Sequence, residues 1–338
     1  MTNKQLEYKY TGEPEYQPQI DTNNTELRGQ KQYPYLPNAG LIQAVNLAIY
    51  LQRPLLLQGE PGCGKTLLAS AIAHEFTIRF QAELASLELT EYPYFPWYIK
   101  STTRAKEGLY TYDAVGRLRD AQLINADFLD NTEKQQKLKL LQDKDAYITW
   151  GVLGNAFQVE KLRPIVLIDE IDKADIDFPN DLLLELDKSE FKVTETKEII
   201  KAKQTPIVII TSNSEKDLPD AFLRRCIYYY LDFPDQEQLI KIVNSHFPKT
   251  KHKTLVKTAV DKFLELRNTG NRRKDGKKAS TSELIDLIRW LKKDYTDTEA
   301  AIKAINEIGQ PENRHLLGIL LKTKEDQEYY HNNHNQQS

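Results

Sequence analysis

Cysteine is nearly absent from this chain, whose 338 residues include only Cys63 and Cys226. Two thiols cannot form a disulfide framework, and neither stands in the spacing of zinc ligands. Because chains with so few cysteines fit a reducing compartment, the sequence predicts a cytoplasmic protein.

The chain also lacks long apolar runs and an excess of charge of one sign. No run approaches the roughly 18 apolar residues of a membrane-spanning helix, and the first residues lack the apolar segment of a secretory signal. The sequence therefore predicts neither membrane insertion nor export. With a net charge of -3, the chain as a whole does not favour wrapping around nucleic acid, although a local basic patch could still bind it.

Glycine is used at only 14 positions, but it is concentrated in one segment, where residues 59–66 read Gly-Glu-Pro-Gly-Cys-Gly-Lys-Thr. This segment matches the phosphate-binding pattern G-x-x-x-x-G-K-[ST] at every fixed position. Glycine has no Cβ, so the backbone N–H groups of such a loop can point inward and form an anion-binding nest at a helix N-terminus. Apolar residues 55–57 predict a strand before the loop and residues 67–74 predict a helix after it, which is the context that the motif requires.

The loop predicts a site for ATP and Mg²⁺. Lys65 would add a positive charge next to the β and γ phosphates, and the Thr66 hydroxyl can ligate Mg²⁺. Cys63 could be a reactive thiolate next to the nest, or simply a small residue. The predicted nucleotide-binding residues of this segment are Gly59, Glu60, Pro61, Gly62, Cys63, Gly64, Lys65, Thr66 and Leu67.

Two acidic residues follow a second apolar strand. Residues 165–168 read Ile-Val-Leu-Ile, which is typical of a central parallel strand, and Asp169 and Glu170 come next. At the carboxyl end of such a strand the first acid can hold Mg²⁺, and the second can orient or deprotonate the attacking water. The sequence therefore predicts Thr66 and Asp169 as magnesium ligands and Glu170 as a catalytic residue.

Two further features suit phosphoryl transfer. A third apolar strand over 207–210 leads to Asn213, whose amide could contact the γ phosphate and water, or could simply start a turn. Arg224 and Arg225 precede another strand, and an arginine finger speeds phosphoryl transfer by about 10³ to 10⁵. The predicted catalytic residues are Lys65, Glu170, Asn213, Arg224 and Arg225.

The apolar pattern predicts an α/β fold, with a parallel sheet flanked by helices and followed by a smaller all-α domain. The predicted domains are an extended N-terminal arm (1–34), the nucleotide-binding domain (35–234), the helical domain (235–322) and a disordered tail (323–338). The arm is equally compatible with a disordered, tag-like tail. Helices are expected over 239–247, 255–266 and 283–291, the last beginning with a capping box at Ser280 and Glu283.

Four other segments have local patterns. The aromatic segment 92–100 favours a core strand over a surface that binds peptide or bases. Residues 106–113 alternate like a hairpin, and 148–157 predict a short helix. The basic segment 271–278 favours a solvated loop, with phosphate or nucleic-acid binding as the alternative.

Taken in order, these motifs resemble an AAA+ ATPase. The sequences Asp-Glu-Ile-Asp-Lys-Ala at 169–174 and Leu-Pro-Asp-Ala at 218–221 are similar to those of the MoxR group and its dynein-related neighbours, and the resemblance extends over roughly Tyr35 to Leu321. Residues 191–200 are similar to a hairpin that those proteins carry before the strand that leads to an asparagine, here Asn213.

The resemblance implies a P-loop AAA+ core followed by a helical lid, with ATP and Mg²⁺ as cofactors. Lys65 and Thr66 correspond to the Walker A pair, and Asp169 and Glu170 correspond to the Walker B acids. Asn213 corresponds to sensor 1. Arg225 corresponds to the finger that acts on the nucleotide of the next subunit, with Arg224 as its partner, and Lys278 is a candidate for sensor 2.

The resemblance also implies a homo-oligomeric ring, usually a hexamer, that uses ATP hydrolysis to remodel a protein partner, often one with a von Willebrand A domain. Two alternatives stay open on the residues alone. One is a nucleic-acid motor or loader, and the other is an ATP-gated switch or scaffold in which binding rather than turnover matters.

Overall fold

The computed structural model of the protein describes residues 6–18, 26–27, 30–31, 33–124, 130–247, 253–270, 278–295 and 297–334. The chain divides into two compact units. The first unit comprises Met1–Gly12, Pro37–Gln58 and Thr66–Tyr230, and the second comprises Glu13–Leu36, Gly59–Lys65 and Leu231–Ser338.

The described residues form eleven strands and sixteen α-helices. The strands are β1 (Glu26–Leu27), β2 (Gln30–Lys31), β3 (Leu55–Gly59), β4 (Tyr94–Tyr98), β5 (Tyr110–Tyr112), β6 (Ile148–Trp150), β7 (Ile165–Asp169), β8 (Glu190–Lys192), β9 (Ile199–Lys201), β10 (Ile207–Ser212) and β11 (Ile227–Leu231). The helices are α1 (Ala39–Leu51), α2 (Lys65–Arg79), α3 (Gln81–Ser86), α4 (Ala105–Leu109), α5 (Ala114–Ile124), α6 (Asn131–Gln142), α7 (Val152–Phe157), α8 (Phe178–Asp181), α9 (Leu183–Lys188), α10 (Asp220–Leu223), α11 (Gln236–His246), α12 (Lys253–Gly270), α13 (Thr281–Asp294), α14 (Thr298–Asn306), α15 (Arg314–Leu320) and α16 (Lys324–His334).

A five-stranded sheet has the strand order β11-β3-β10-β7-β4. β10 runs parallel to β3 and β7, and β4 runs parallel to β7. β7 and β10 are buried along their whole length, which explains why both are continuous apolar runs in the sequence. Because parallel strands end at the same edge of a sheet, Asp169 at the end of β7 and Asn213 after β10 lie at one edge. The predicted α/β fold with a helical C-terminal region is confirmed.

The aromatic segment forms β4 at the edge of this sheet. Tyr94 and Trp97 are buried, and the buried Tyr92 hydroxyl donates to the Arg163 carbonyl at 2.7 Å. Tyr98 is the exposed member of the strand. The segment is therefore mainly a core strand, as the sequence favoured.

Two local predictions in the first unit are wrong. Residues 106–113 do not form a hairpin of their own, because α4 ends at Leu109 and β5 pairs antiparallel with β6. The helix predicted over 148–157 begins only at Val152, since the residues before it form β6. The partner of β5 lies about forty positions away in the sequence, so a local pattern could not reveal it. The predicted hairpin over 191–200 is present as the antiparallel pair β8–β9.

The described start of the N-terminal arm is tied to the first unit. The carboxylate of Glu75, on α2, accepts hydrogen bonds from the backbone N–H groups of Thr11 and Gly12 at 2.8 and 2.9 Å. Tyr10 is fully buried, and its N–H donates to the Asn46 side chain at 2.8 Å. Residues 6–12 therefore do not behave as a tag-like tail.

The second unit contains the C-terminal helices around an apolar core. Its largest buried residues include Leu239, Phe263, Leu287 and Leu317. The three helices predicted in this region are present as α11, α12 and α13. The capping box also forms, because Glu283 Oε2 accepts from the Ser280 N–H at 2.6 Å.

The disordered tail predicted from residue 323 is wrong over its first part, which forms α16. The Thr323 hydroxyl donates to Asp326 Oδ2 at 2.6 Å at the start of this helix, and Tyr330 is buried in the core of the second unit. Burial of Tyr330 therefore anchors to the core a helix whose composition is otherwise polar. Residues 335–338 lie outside the described residues, and the predicted domain boundaries stay predictions.

Candidate nucleotide-binding site

The phosphate loop has a backbone that only glycine adopts easily. Gly62 and Gly64 have φ angles of 78° and 94°, in the left-handed region that disfavours side chains. A Cβ on Gly62 would also lie 2.2 Å from the Ser280 Cβ, and one on Gly64 would lie 3.3 Å from the Tyr35 ring. Since α2 begins at Lys65, the loop presents its N–H groups at a helix N-terminus, and it fits a bound phosphate.

Lys65 is held inside this loop. Its Nζ donates to the Gly59 and Glu60 carbonyls at 2.7 and 2.9 Å, and the residue is only 6% exposed. The ammonium group is thus positioned by backbone oxygens of the same loop, where a phosphate would meet it.

Cys63 behaves as a small buried residue. It is free and buried, and burial raises the pKa of its thiol although Lys65 opposes this effect. A raised pKa disfavours the thiolate, so the structure supports the interpretation of Cys63 as a packing residue. Among the other predicted contacts, Pro61 and Leu67 are exposed.

Glu60 connects the phosphate loop to two cations. Its Oε1 pairs with Lys278 Nζ, and its Oε2 pairs with Arg267 Nη2. Burial tends to raise the pKa of Glu60, but Lys278 and Arg267 outweigh it and keep that pKa below its usual value. Lys278, predicted as a nucleotide contact, therefore contacts a residue of the loop.

Sequence reasoning missed Arg267. The guanidinium lies 3.5 Å from the centroid of the Phe233 ring and donates to the Ala279 carbonyl. The side chain is 6% exposed. The sequence did contain a signal that Arg267 is buried, because positions 263, 266 and 267 share one helix face and the first two are apolar.

The predicted magnesium ligands are brought together in the first unit. The Thr66 hydroxyl donates to Asp169 Oδ1 at 2.8 Å, and the buried Thr211 hydroxyl donates to the same oxygen at 2.7 Å. Within the described residues no group of three or more His, Cys, Asp or Glu side chains could hold a metal alone. A hydroxyl and one carboxylate fit Mg²⁺, which takes a few oxygen ligands from protein and the rest from phosphates and water.

Glu170 is held at three points. Its backbone is left-handed, with φ 59°, and its N–H donates to the Thr211 hydroxyl at 2.8 Å. Its carboxylate accepts from the Asn213 side-chain amide at 3.0 Å and pairs with Lys173 Nζ. The structure thus brings together the predicted Glu170 and Asn213 and adds Thr211 and Lys173, which the sequence analysis did not identify.

Asp172 supports the Asn213 end of this arrangement. It is 2% exposed, and its Oδ2 accepts from the N–H groups of Asn213 and Glu215 at 3.0 and 2.9 Å. Both donors reach Oδ2, whereas Asp172 Oδ1 is buried without a hydrogen-bond partner among the described residues. The loop after β10 is therefore anchored to the turn after β7.

The predicted arginine pair lies elsewhere in the first unit. Arg225 pairs with Asp187 through Nε and donates to the Ala221 carbonyl at 2.8 Å, and its side chain is 42% exposed. Arg224 is exposed. The backbone carbonyls of Arg224 and Arg225 accept hydrogen bonds from the Arg53 side chain. The main chain of the pair is therefore held, while both of its side chains remain at the surface.

The basic segment 271–278, considered for phosphate or nucleic-acid binding, lies outside the described residues except for Lys278. In the part of the chain that the structure describes, no helix has the length and apolar character needed to cross a membrane.

Comparison with known proteins decides the family. Residues 55–232 match the model of the ATPase family associated with various cellular activities (AAA). The chain belongs to the AAA family. The match contains β3, the phosphate loop, Asp169, Glu170, Asn213 and both predicted arginines. A search of curated proteins finds no match for this AAA protein.

Solved structures show more distant similarity. The chain is 15% identical to the C. elegans PCH-2 structure, with a TM-score of 0.39. This match covers 78% of the present chain and 66% of the PCH-2 chain, which is just under two thirds. The chain is 18% identical to a chain of the E. coli MS115-1 HORMA:CdnC:Trip13 complex, also with a TM-score of 0.39. This match covers 81% of the present chain and 79% of the chain in the complex.

Proposed function

We propose that this AAA protein is a Mg²⁺-dependent ATP hydrolase of MoxR type. It works as a homo-oligomeric ring, a hexamer as is usual in that group, and remodels a protein partner. The observation that carries the hydrolase part is the hydrogen-bonded set Thr66–Asp169–Thr211–Glu170–Asn213 at one edge of the sheet. In this set a hydroxyl and a carboxylate suited to a metal lie beside a second carboxylate suited to water, which supports the proposal.

Each residue has a role in this proposal. The N–H groups of the phosphate loop and Lys65 hold the phosphates, and Thr66 and Asp169 hold Mg²⁺. When bound, the ion neutralises the charge that develops on the phosphates. Glu170 orients the attacking water, and Asn213 holds the Glu170 carboxylate in place.

The proposed ring assembly and the proposed protein partner rest on sequence motifs. Residues 169–174 and 218–221 resemble the MoxR group, whose partners often carry a von Willebrand A domain. The half-exposed Arg225 is compatible with a finger for a neighbouring subunit, because its pair with Asp187 is a surface ion pair. Such pairs contribute about 0 to 1 kcal/mol, so a phosphate could replace Asp187.

The test is the steady-state ATPase rate per subunit against protein concentration, for the unaltered chain, Arg225→Ala and Arg224→Ala. We expect the rate to rise with concentration and to fall by about 10³ or more in Arg225→Ala, the scale of a lost arginine finger. Arg224→Ala is the matched control and should retain most activity.

A flat rate that neither substitution changes would contradict sites shared between subunits. Glu170→Gln should bind ATP without hydrolysing it. If that variant kept full biological activity, the protein would be a nucleotide-gated switch rather than a remodeller.

A further inference from the structure

The carboxylate of Glu170 has a cationic partner that no motif assigns. Its Oε2 pairs with the Nζ of Lys173, three residues along the chain, while its Oε1 accepts from Asn213. Both oxygens are therefore engaged by side-chain donors. The two charged side chains are 41% and 34% exposed, so the pair lies at an accessible surface rather than in the core.

Lys173 is attached to a rigid support. It ends the 3₁₀ turn Ile171–Lys173, in which Ile171 and Asp172 are buried. The Nζ of Lys216 donates to the carbonyls of Lys173 and Ala174 at 3.2 and 2.7 Å. The backbone from which the Lys173 side chain extends is therefore held in place.

The charges nearby keep Lys173 protonated. Glu170 raises the pKa of Lys173, and Glu215 and Asp169 contribute in the same direction. An ammonium group that interacts with three carboxylates stays charged.

A carboxylate that orients a water must direct a lone pair at that water. The Lys173 ammonium competes with water for the Glu170 carboxylate, since a hydrogen bond between two ionised groups adds a Coulomb attraction that a neutral water lacks. The pair therefore ties Glu170 to the turn and opposes its use in hydrolysis.

We propose that Lys173 is a positioning residue that restrains Glu170, so that the basal ATPase rate is set partly by release of this ion pair. The inference rests on the proposed ATPase function. It assigns Asn213 the role of fixing one carboxylate oxygen and Lys173 the role of withholding the other.

The test is the kcat and the KM for ATP of Lys173→Met, which keeps side-chain length without charge. We expect kcat to rise about 1.5- to 5-fold, the range that a partly exposed ion pair allows, with KM unchanged. Lys173→Arg retains the charge and should resemble the unaltered chain. Lys192→Met removes the charge of an exposed lysine on β8 and serves as the control.

Damage to the fold lowers activity, so only a restraint predicts an increase. An unchanged or lower kcat in Lys173→Met, with normal ATP binding and thermal unfolding, overturns the proposal. If the methionine variant does not fold, Lys173→Gln decides by the same criteria.

The two proposals fail in different ways. An unaltered chain that neither binds nor hydrolyses ATP contradicts the proposed function. An active chain whose rate does not respond to removal of the Lys173 charge contradicts the restraint alone.

Discussion

Replacing Thr211 by valine tests how the candidate site is held together. The hydroxyl accepts from the Glu170 N–H at 2.8 Å and donates to Asp169 Oδ1 at 2.7 Å. Thr211 is 0% exposed, so water cannot replace the hydroxyl. Thr211→Val keeps the shape of the side chain and removes both hydrogen bonds.

The expected effect follows from these two bonds. A neutral hydrogen bond contributes about 1 kcal/mol and one to a charged group about 1.5 to 3 kcal/mol, so the free energy of unfolding should fall by about 2.5 to 4 kcal/mol. The Glu170 N–H also helps to hold its left-handed backbone, with φ 59°. Loss of about 1 kcal/mol of that support should lower kcat about fivefold.

Urea unfolding followed by circular dichroism and the ATPase rate at saturating ATP measure the two effects. Thr211→Ser is the matched control, since it keeps the hydroxyl and loses a methyl group that contributes about 0.8 kcal/mol. Valine should therefore be the more harmful substitution in both assays. A valine variant as stable and active as the serine variant would refute the role given to the hydroxyl.

Two other predictions concern stability. Glu75→Ala leaves the partly buried N–H groups of Thr11 and Gly12 without their carboxylate acceptor. It should lower the free energy of unfolding by about 3 kcal/mol, since a hydrogen bond to a charged group contributes about 1.5 to 3 kcal/mol. Urea unfolding checks this, and a change below about 0.5 kcal/mol, the usual range for surface substitutions, would show that the arm is not held there. Burial and the charge of Arg289 lower the pKa of His246 from 6.5 to about 4. Between pH 6.5 and pH 4 the unfolded chain therefore binds a proton that the folded chain does not. The free energy of unfolding should fall as the pH drops over that range. In His246→Phe the new ring can keep the stacking on Tyr33, which lies 4.0 Å away between ring centroids. This variant should lose less stability between pH 7 and pH 5 than the unaltered chain. Equal losses would argue against a neutral buried histidine.

Tertiary contacts overturned the sequence predictions where the deciding partner is distant in the chain. The pattern over 106–113 looked like a hairpin because β5 alternates, but its partner is β6. The polar composition after residue 323 predicted disorder, yet Tyr330 reaches the apolar core and α16 forms. Local patterns report periodicity and composition, and they contain no information about which surface a segment will meet.

The sequence by itself determined the phosphate loop, the apolar strands with Asp169 and Glu170, the helices of the second unit and the AAA family. These features depend on short-range requirements, such as the positive φ angles of Gly62 and Gly64, and short-range requirements leave local patterns. Only the tertiary structure decided that Thr211 bridges Asp169 and Glu170, that Lys173 pairs with Glu170, and that Arg267 reaches Glu60 across 207 positions. Such contacts arise when separate strands and helices pack together, and a side chain's partner is then set by that packing rather than by its neighbours in sequence.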